Sequence, residues 1–145
     1  MYRNILIATD GSSLANRAVE HGLNLAKSVH AKVLILTVTE RFHIFALEAD
    51  QLEETSSSFG EHMRKQAERS LSEASAIARN LGVDATTLQM EDDAPYRAII
   101  RMAEDHACDL IVMASHGRSG VSALLLGSET MKVLHHSTIP VLVVR

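Results

Sequence analysis

The chain alternates between short, nearly continuous apolar runs and longer stretches in which apolar residues return every three or four positions. Ile5 to Ala8 is the first run, and Thr9-Asp-Gly-Ser-Ser13 then supplies turn and N-cap chemistry. Leu14, Ala18, Leu25 and Val29 follow at helical spacing, so the pattern predicts strand, loop, helix. Val33 to Leu36, extending to Val38, reads as a second buried strand, preceded by His30-Ala31-Lys32. From Thr39 to Gly60 no period holds, although Phe42, Ile44, Phe45 and Leu47 make the segment partly apolar. Helical periodicity resumes with Met63, Ala67, Leu71, Ala74, Ala78 and Leu81, with charged residues on the other faces and Gly82 suited to a helix end.

A third strand is predicted over about 83 to 89. Asp92, Asp93 and Pro95 mark the next helix start, where proline is tolerated and acidic side chains complement the dipole; Ile99, Ile100 and Ala103 give its apolar face. Asp109 to Met113 is the fourth strand, Ser128 to His136 a short helix, and Pro140 to Val144 the fifth strand. Strands separated by helices predict an α/β fold, a five-stranded parallel Rossmann-like sheet covered by helices on both faces with right-handed crossovers. In the common order 3-2-1-4-5 the strand order reverses between strands one and four, and ligands bind at that crevice on the carboxyl edge. The loops that would meet there are Thr9-Asp-Gly-Ser and Ala114-Ser-His-Gly.

Composition narrows the function classes. The length of 145 residues fits one domain spanning 1–145. A formal charge of −4, with no basic block, argues against nucleic acid or an anionic membrane as partner. Apolar residues are 46% but aromatics only 3%, so Leu, Ile, Val, Ala and Met must fill the core. No apolar run approaches the roughly 18 to 20 residues that span a bilayer. The lone Cys108 excludes an intrachain disulfide, and the early strand replaces a signal segment, which together predict a cytoplasmic protein.

The chemistry concentrates in Ile111 to Gly117 and in Gly127-Ser-Glu-Thr130. A strand breaks into a small-residue turn, and a second such turn opens a helix whose first N–H groups lack intrahelical partners. Glycines at 117 and 127 let the backbone approach an anion closely, and the helix dipole favours it.

Together, Ile5-Leu-Ile-Ala-Thr-Asp-Gly-Ser12, Asp109-Leu-Ile-Val-Met-Ala-Ser-His-Gly117, Gly127-Ser128 and Ile139-Pro-Val-Leu-Val-Val144 make the chain resemble, end to end, the universal stress proteins. These are small domains of the adenine-nucleotide-hydrolase-like α/β type, many of which bind ATP. The ATP-binding members carry Gly, two residues, Gly, nine residues, then Gly followed by Ser or Thr. Here Gly117, Gly127 and Ser128 hold the last three fixed positions, and Ala114 stands at the first. A left-handed backbone at 114 would cost alanine about 1–2 kcal/mol, whereas a need for close approach would ask only that one methyl be accommodated.

The resemblance implies that Asp10 sits near the ribose, with Ala8 and Thr9 lining the pocket, and that the Val38 backbone meets adenine. Met113, Ala114 and His116 would follow ribose and phosphates, with Arg118 beside them. The amides of Gly117, Gly127, Ser128, Glu129 and Thr130 would hold a triphosphate accompanied by Mg²⁺ or Mn²⁺. It also implies a homodimer through the strand at 140–144, whose apolar edge would otherwise be exposed.

Plainer readings stand beside these. Ser128 serves as an N-cap in either case, Asp10 could merely close an Asp-Gly turn, and His116 and Arg118 taken singly are ordinary loop residues. The adjacent His135 and His136 point in different directions on a helix and lack a third ligand, and Cys108 reads as a small buried hydrophobe. Gly117-Arg-Ser-Gly120 has no third glycine, and Gly127 to Lys132 lacks the Gly-Lys-Ser/Thr run of a Walker loop. The first loop lacks the Ser-Gly-Gly-x-Asp-Ser run of ATP pyrophosphatases. The leading expectation is an ATP-binding stress or signalling module with little or no hydrolysis; the segment 39–60 could supply its partner surface or a lid, and in the simpler reading packs against the domain itself. The alternatives are a nucleotide-free dimerisation protein of the same fold and a slow ATP hydrolase.

Overall fold

The computed structural model describes residues 1–41, 49–118 and 125–145, with the side chains of all but 49–56. The elements in chain order are β1 (Asn4–Ala8), α1 (Ser13–Val29), β2 (Lys32–Thr39), α2 (Ala49–Leu81), β3 (Ala85–Glu91), α3 (Pro95–Asp105), β4 (Leu110–Ala114), α4 (Ser128–His136) and β5 (Val141–Val144). The sheet is parallel throughout, in the order β3-β2-β1-β4-β5. Ile5, Leu6 and Ile7 of β1 pair with Leu110, Ile111 and Val112 of β4, so strand order reverses there as expected.

Side-chain alternation along the central strands builds a core on each face. Ile5, Ile7, Val33, Ile35 and Val112 face Val19, Leu23 and Ala26 of α1 and Leu71, Ala74 and Ala78 of α2. Leu6, Leu34, Leu36, Ile111 and Met113 face Ile99, Met102 and Ala103 of α3 and Val133 of α4. Branched aliphatic residues on both faces of one strand therefore replace the aromatics that the chain lacks.

Three boundaries differ from the sequence reading. α2 begins at Ala49, well before Met63, where the apolar period of the sequence sets in. β3 starts at Ala85 because the helix end consumes the preceding residues: Gly82, at φ +71°, donates to Arg79, and Val83 donates to the Ala78 carbonyl. Asp92 and Asp93 lie outside α3. Asp92 Oδ1 accepts from the Ala94 amide at 2.8 Å, Asp93 Oδ1 accepts from the Arg41 amide at 3.3 Å, and Pro95 opens the helix. The apolar residues at 42–47, considered above as a partner surface or lid, lie outside the described residues. Among the described residues no helix is long and apolar enough to cross a membrane.

Candidate functional site at the carboxyl edge of the sheet

A cavity of about 350 Å³ opens where the loops after β1 and β4 meet. That volume lies within the range of small-molecule sites, about 300–1,000 Å³. Its walls contain every residue that the family resemblance assigned to a nucleotide pocket: Ala8, Thr9, Asp10, Val38, Met113, Ala114, His116, Gly117, Arg118, Gly127, Ser128, Glu129 and Thr130. The topology explains the gathering, since parallel strands bring all their carboxyl ends to one edge.

The loop after β1 is closed by its own side chains. The Thr9 amide donates to the Leu36 carbonyl, and the Thr9 carbonyl accepts from buried Thr37 Oγ1 at 2.9 Å, which fixes the loop to β2. Thr9 Oγ1 accepts from the Gly11 amide at 3.1 Å, Asp10 Oδ1 from the Ser12 amide at 2.9 Å, and Ser12 Oγ from the Ala15 amide at 3.2 Å. The last of these is the N-cap of α1. Asp10 also reaches across the crevice: its Oδ2 accepts from the Arg118 amide at 2.9 Å, and its carbonyl accepts from Arg118 Nε at 2.8 Å. Asp10 is therefore both the turn residue of the plain reading and the tie between the two loops.

Gly117 makes this tie possible, because a Cβ there would collide with Asp10 Oδ2. Neither Gly117 nor Gly127 has a positive φ, so both glycines serve close approach rather than a left-handed turn. Ala114 is likewise free of positive φ; it ends β4, paired with Val144. The left-handed cost considered for alanine at this position does not arise, and only its methyl remains to be accommodated.

The second loop leads into α4 and leaves its end open. Gly127 donates to the Ser115 carbonyl at 2.7 Å and occupies the N-cap position, where no side chain caps the helix. A Cβ on Gly127 would lie 3.1 Å from His116 Cα, which explains a residue without one. Ser128, expected as the cap, is instead the first helical residue; it is exposed, and its hydroxyl has no partner among the described residues. Thr130 Oγ1 turns inward and donates to the Ala114 carbonyl at 2.9 Å, which locks the first turn of α4 onto β4. The uncapped end therefore presents backbone N–H groups to the cavity from a rigid base.

Glu129 does something the sequence did not reveal. Its Oε2 accepts from the Tyr96 amide at 2.8 Å, which caps α3 from another helix, while Oε1 accepts from Lys132 Nζ at 3.2 Å. Ser115 Oγ and His116 Nδ1 lie 3.2 Å apart, and His116 is half-buried at the mouth.

The cavity lining has two chemistries. Asp10, Gly117 and the first turn of α4 supply polar groups; Leu36, Val38, Pro95, Ile99 and Met113, with Phe59 and Met63 of α2, supply apolar ones. Ala15, Leu36, Met63, Pro95 and Ile99 were not expected there, whereas Glu40 and Phe59 fall within the 39–60 segment considered above as a partner surface or lid. Phe59 had a detectable signal, since it lies four residues before Met63 on the same helical stripe.

Two other candidates recede. Cys108 is buried, and burial, with a smaller contribution from Asp109, pushes its thiol from 9.0 up to about 11, so it is no nucleophile at neutral pH. His135 and His136 stand ring to ring, with His136 stacked against Tyr96; among the described residues no cluster of His, Cys, Asp or Glu could hold a metal ion.

Known proteins share this architecture. A universal stress protein of Methanocaldococcus jannaschii is 32% identical over 145 residues, covering 100% of this chain and 83% of that protein. YxiE, a universal stress protein of Bacillus subtilis, is 30% identical over the whole of both chains. A universal stress protein crystallised in complex with cAMP superposes with a TM-score of 0.74 at 27% identity, covering 99% of this chain and 97% of that one. The model of the universal stress protein family matches residues 1–145, and the chain belongs to that family.

Proposed function

We propose that the protein is a cytoplasmic ATP-binding stress or signalling module, working as a homodimer with little or no hydrolysis. The observation that carries this reading is the uncapped N-terminus of α4, opening onto a cavity that Asp10 also lines. The amides of Ser128, Glu129 and Thr130, with the free Ser128 hydroxyl, would receive the phosphates. Asp10, in the same cavity lining, would meet the ribose, and the apolar part of the lining would receive adenine beside Val38. The complex of a related family member with cAMP supports an adenine nucleotide as the class of ligand.

Mg²⁺ or Mn²⁺ would be carried by the phosphates rather than by a protein cage, in keeping with a metal that is bound chiefly through substrate phosphates. Little or no turnover fits two of the three cavity carboxylates; the third, Glu40, is exposed. Asp10 and Glu129 already accept backbone N–H groups, so neither is disposed to activate water.

The dimer reading rests on β5. It is an edge strand of Val141, Leu142, Val143 and Val144, all half-buried, and the adjacent α4 exposes Met131 and Leu134. A second copy would cover both. Calorimetric titration of nucleotide-stripped protein with ATP and Mg²⁺ tests the binding, phosphate release over hours tests turnover, and sedimentation tests the dimer. No heat at millimolar ATP, or a concentration-independent monomer at micromolar protein, would remove the corresponding part.

A further inference from the structure

Along the described side chains of α2, the protected positions form one stripe. Ala67, Ser70, Leu71, Ala74 and Ala78 are buried, and between 57 and 65 only Phe59 and Met63 escape full exposure. The spacing of four places Phe59, Met63 and Ala67 in line on one helix face. Leu71, Ala74 and Ala78 pack on the sheet with Ile5, Val33 and Ile35, whereas Phe59 and Met63 belong to neither apolar core and line the cavity instead. The helix face that buries the sheet thus continues into the apolar part of the cavity lining.

α2 is anchored in that position by the two loops of the polar lining. Ser70 Oγ packs so closely on Gly11 that a Cβ there would collide with it. Gln66, with its amide oxygen turned to Arg118, accepts from Nη1 at 2.7 Å and Nη2 at 3.2 Å, while Arg118 Nε holds the Asp10 carbonyl. One helical turn beyond Gln66 and Ala67 stand Met63 and then Phe59, which share the cavity lining with Val38, Ile99 and Met113.

We infer that Phe59 and Met63 are base-recognition residues, an aromatic and thioether roof under which a flat heteroaromatic base stacks; this rests on the nucleotide reading above. A ring and a polarisable sulfur on one side and branched aliphatic side chains on the other form a slot for a planar apolar group. Phosphate recognition is assigned above to the first turn of α4, a different element, so the roof contributes to affinity only for ligands that carry a base.

The test titrates the unaltered chain, Phe59→Ala and Phe59→Trp with ATP, with AMP and with inorganic triphosphate. Phe59→Ala is expected to weaken ATP and AMP by the same factor, about tenfold, and to leave triphosphate unchanged. Phe59→Trp introduces the only tryptophan of the chain, and ATP is expected to quench its fluorescence while triphosphate does not. A folded Phe59→Ala variant that binds ATP as tightly as the unaltered chain overturns the inference. So does equal weakening of ATP and triphosphate, or a Phe59→Trp signal indifferent to ATP. Absence of ATP binding by the unaltered chain overturns the nucleotide reading and the roof with it; the other outcomes overturn the roof alone.

Discussion

α1 and α4 both begin at the carboxyl edge of the sheet, beside the same cavity, and they complete their first turns in opposite ways. α1 is closed from within: Ser12 Oγ caps the Ala15 amide, and Asp10 holds the Ser12 amide. α4 starts on Gly127, has no side-chain cap, and has its neighbouring hydroxyl, Thr130 Oγ1, turned away to the Ala114 carbonyl. α3, nearby, is closed from outside by the Glu129 carboxylate. A helix start is therefore not a site in itself. The proposed phosphate site lies at the one start, among these three, to which no side chain of the described residues supplies an acceptor, although serine, threonine and glutamate all stand within its first turn.

Exchanging the properties of the two starts should exchange their behaviour. The largest effect is expected from Gly127→Asp, which supplies α4 with a cap and places a charge where the phosphates would lie. Like-charge juxtaposition costs several kcal/mol, so ATP affinity should fall by about 100-fold or more in calorimetry. α4 should persist by circular dichroism, because an Asp cap stabilises a helix end by about 1 kcal/mol, against crowding by His116 Cα at 3.1 Å. Gly117→Ala comes next. Its methyl displaces the Asp10 carboxylate from the Arg118 amide, and losing a charged hydrogen bond should lower stability by about 1.5–3 kcal/mol and weaken ATP about tenfold.

Ser12→Ala should separate the two ends cleanly. Thermal or urea unfolding should show a loss of about 1 kcal/mol, with ATP affinity held to within about twofold. Ala114→Gly is expected to be mild. One methyl fewer at the cavity wall should alter ATP affinity by about fourfold at most, while glycine in a strand should cost about 0.5–1 kcal/mol in unfolding.

Remote from both starts, Cys108 provides a titration that nucleotide should not affect. Its thiol is raised in the folded protein, so the folded state keeps its proton longer than the unfolded chain does. That contribution to stability is complete below about pH 9 and is lost as pH rises through about 11. Denaturant midpoints measured over that window should fall more in the unaltered chain than in Cys108→Ala.

The sequence was most legible where physics acts locally. β1, β4 and α4 were read within a residue or so because buried apolar runs and a small-residue helix start are short-range signals. The meeting of the Asp10 and Gly117 loops also followed, since strand order alone places them together. What escaped depends on distant partners. Glu129 caps a helix 33 positions away in sequence, and nothing near Tyr96 announces it. Asp10 was read as a turn or a ligand contact, and its grip on Arg118 across 108 positions joins both roles. The first turns of α2 carry no full apolar period, which hid the helix start and left Phe59 only its spacing of four from Met63 as a signal.

The contrast between the two helix starts can be read directly from backbone amide chemical shifts as ATP and Mg²⁺ are added to ¹⁵N-labelled protein. The amides of Ser128, Glu129 and Thr130 should shift in a saturable way as they gain phosphate acceptors. The Ser12-capped amide of Ala15 should move far less, because its acceptor is already in place. Unmoved α4 amides at millimolar ATP, or shifts of equal size at both starts, would contradict the account.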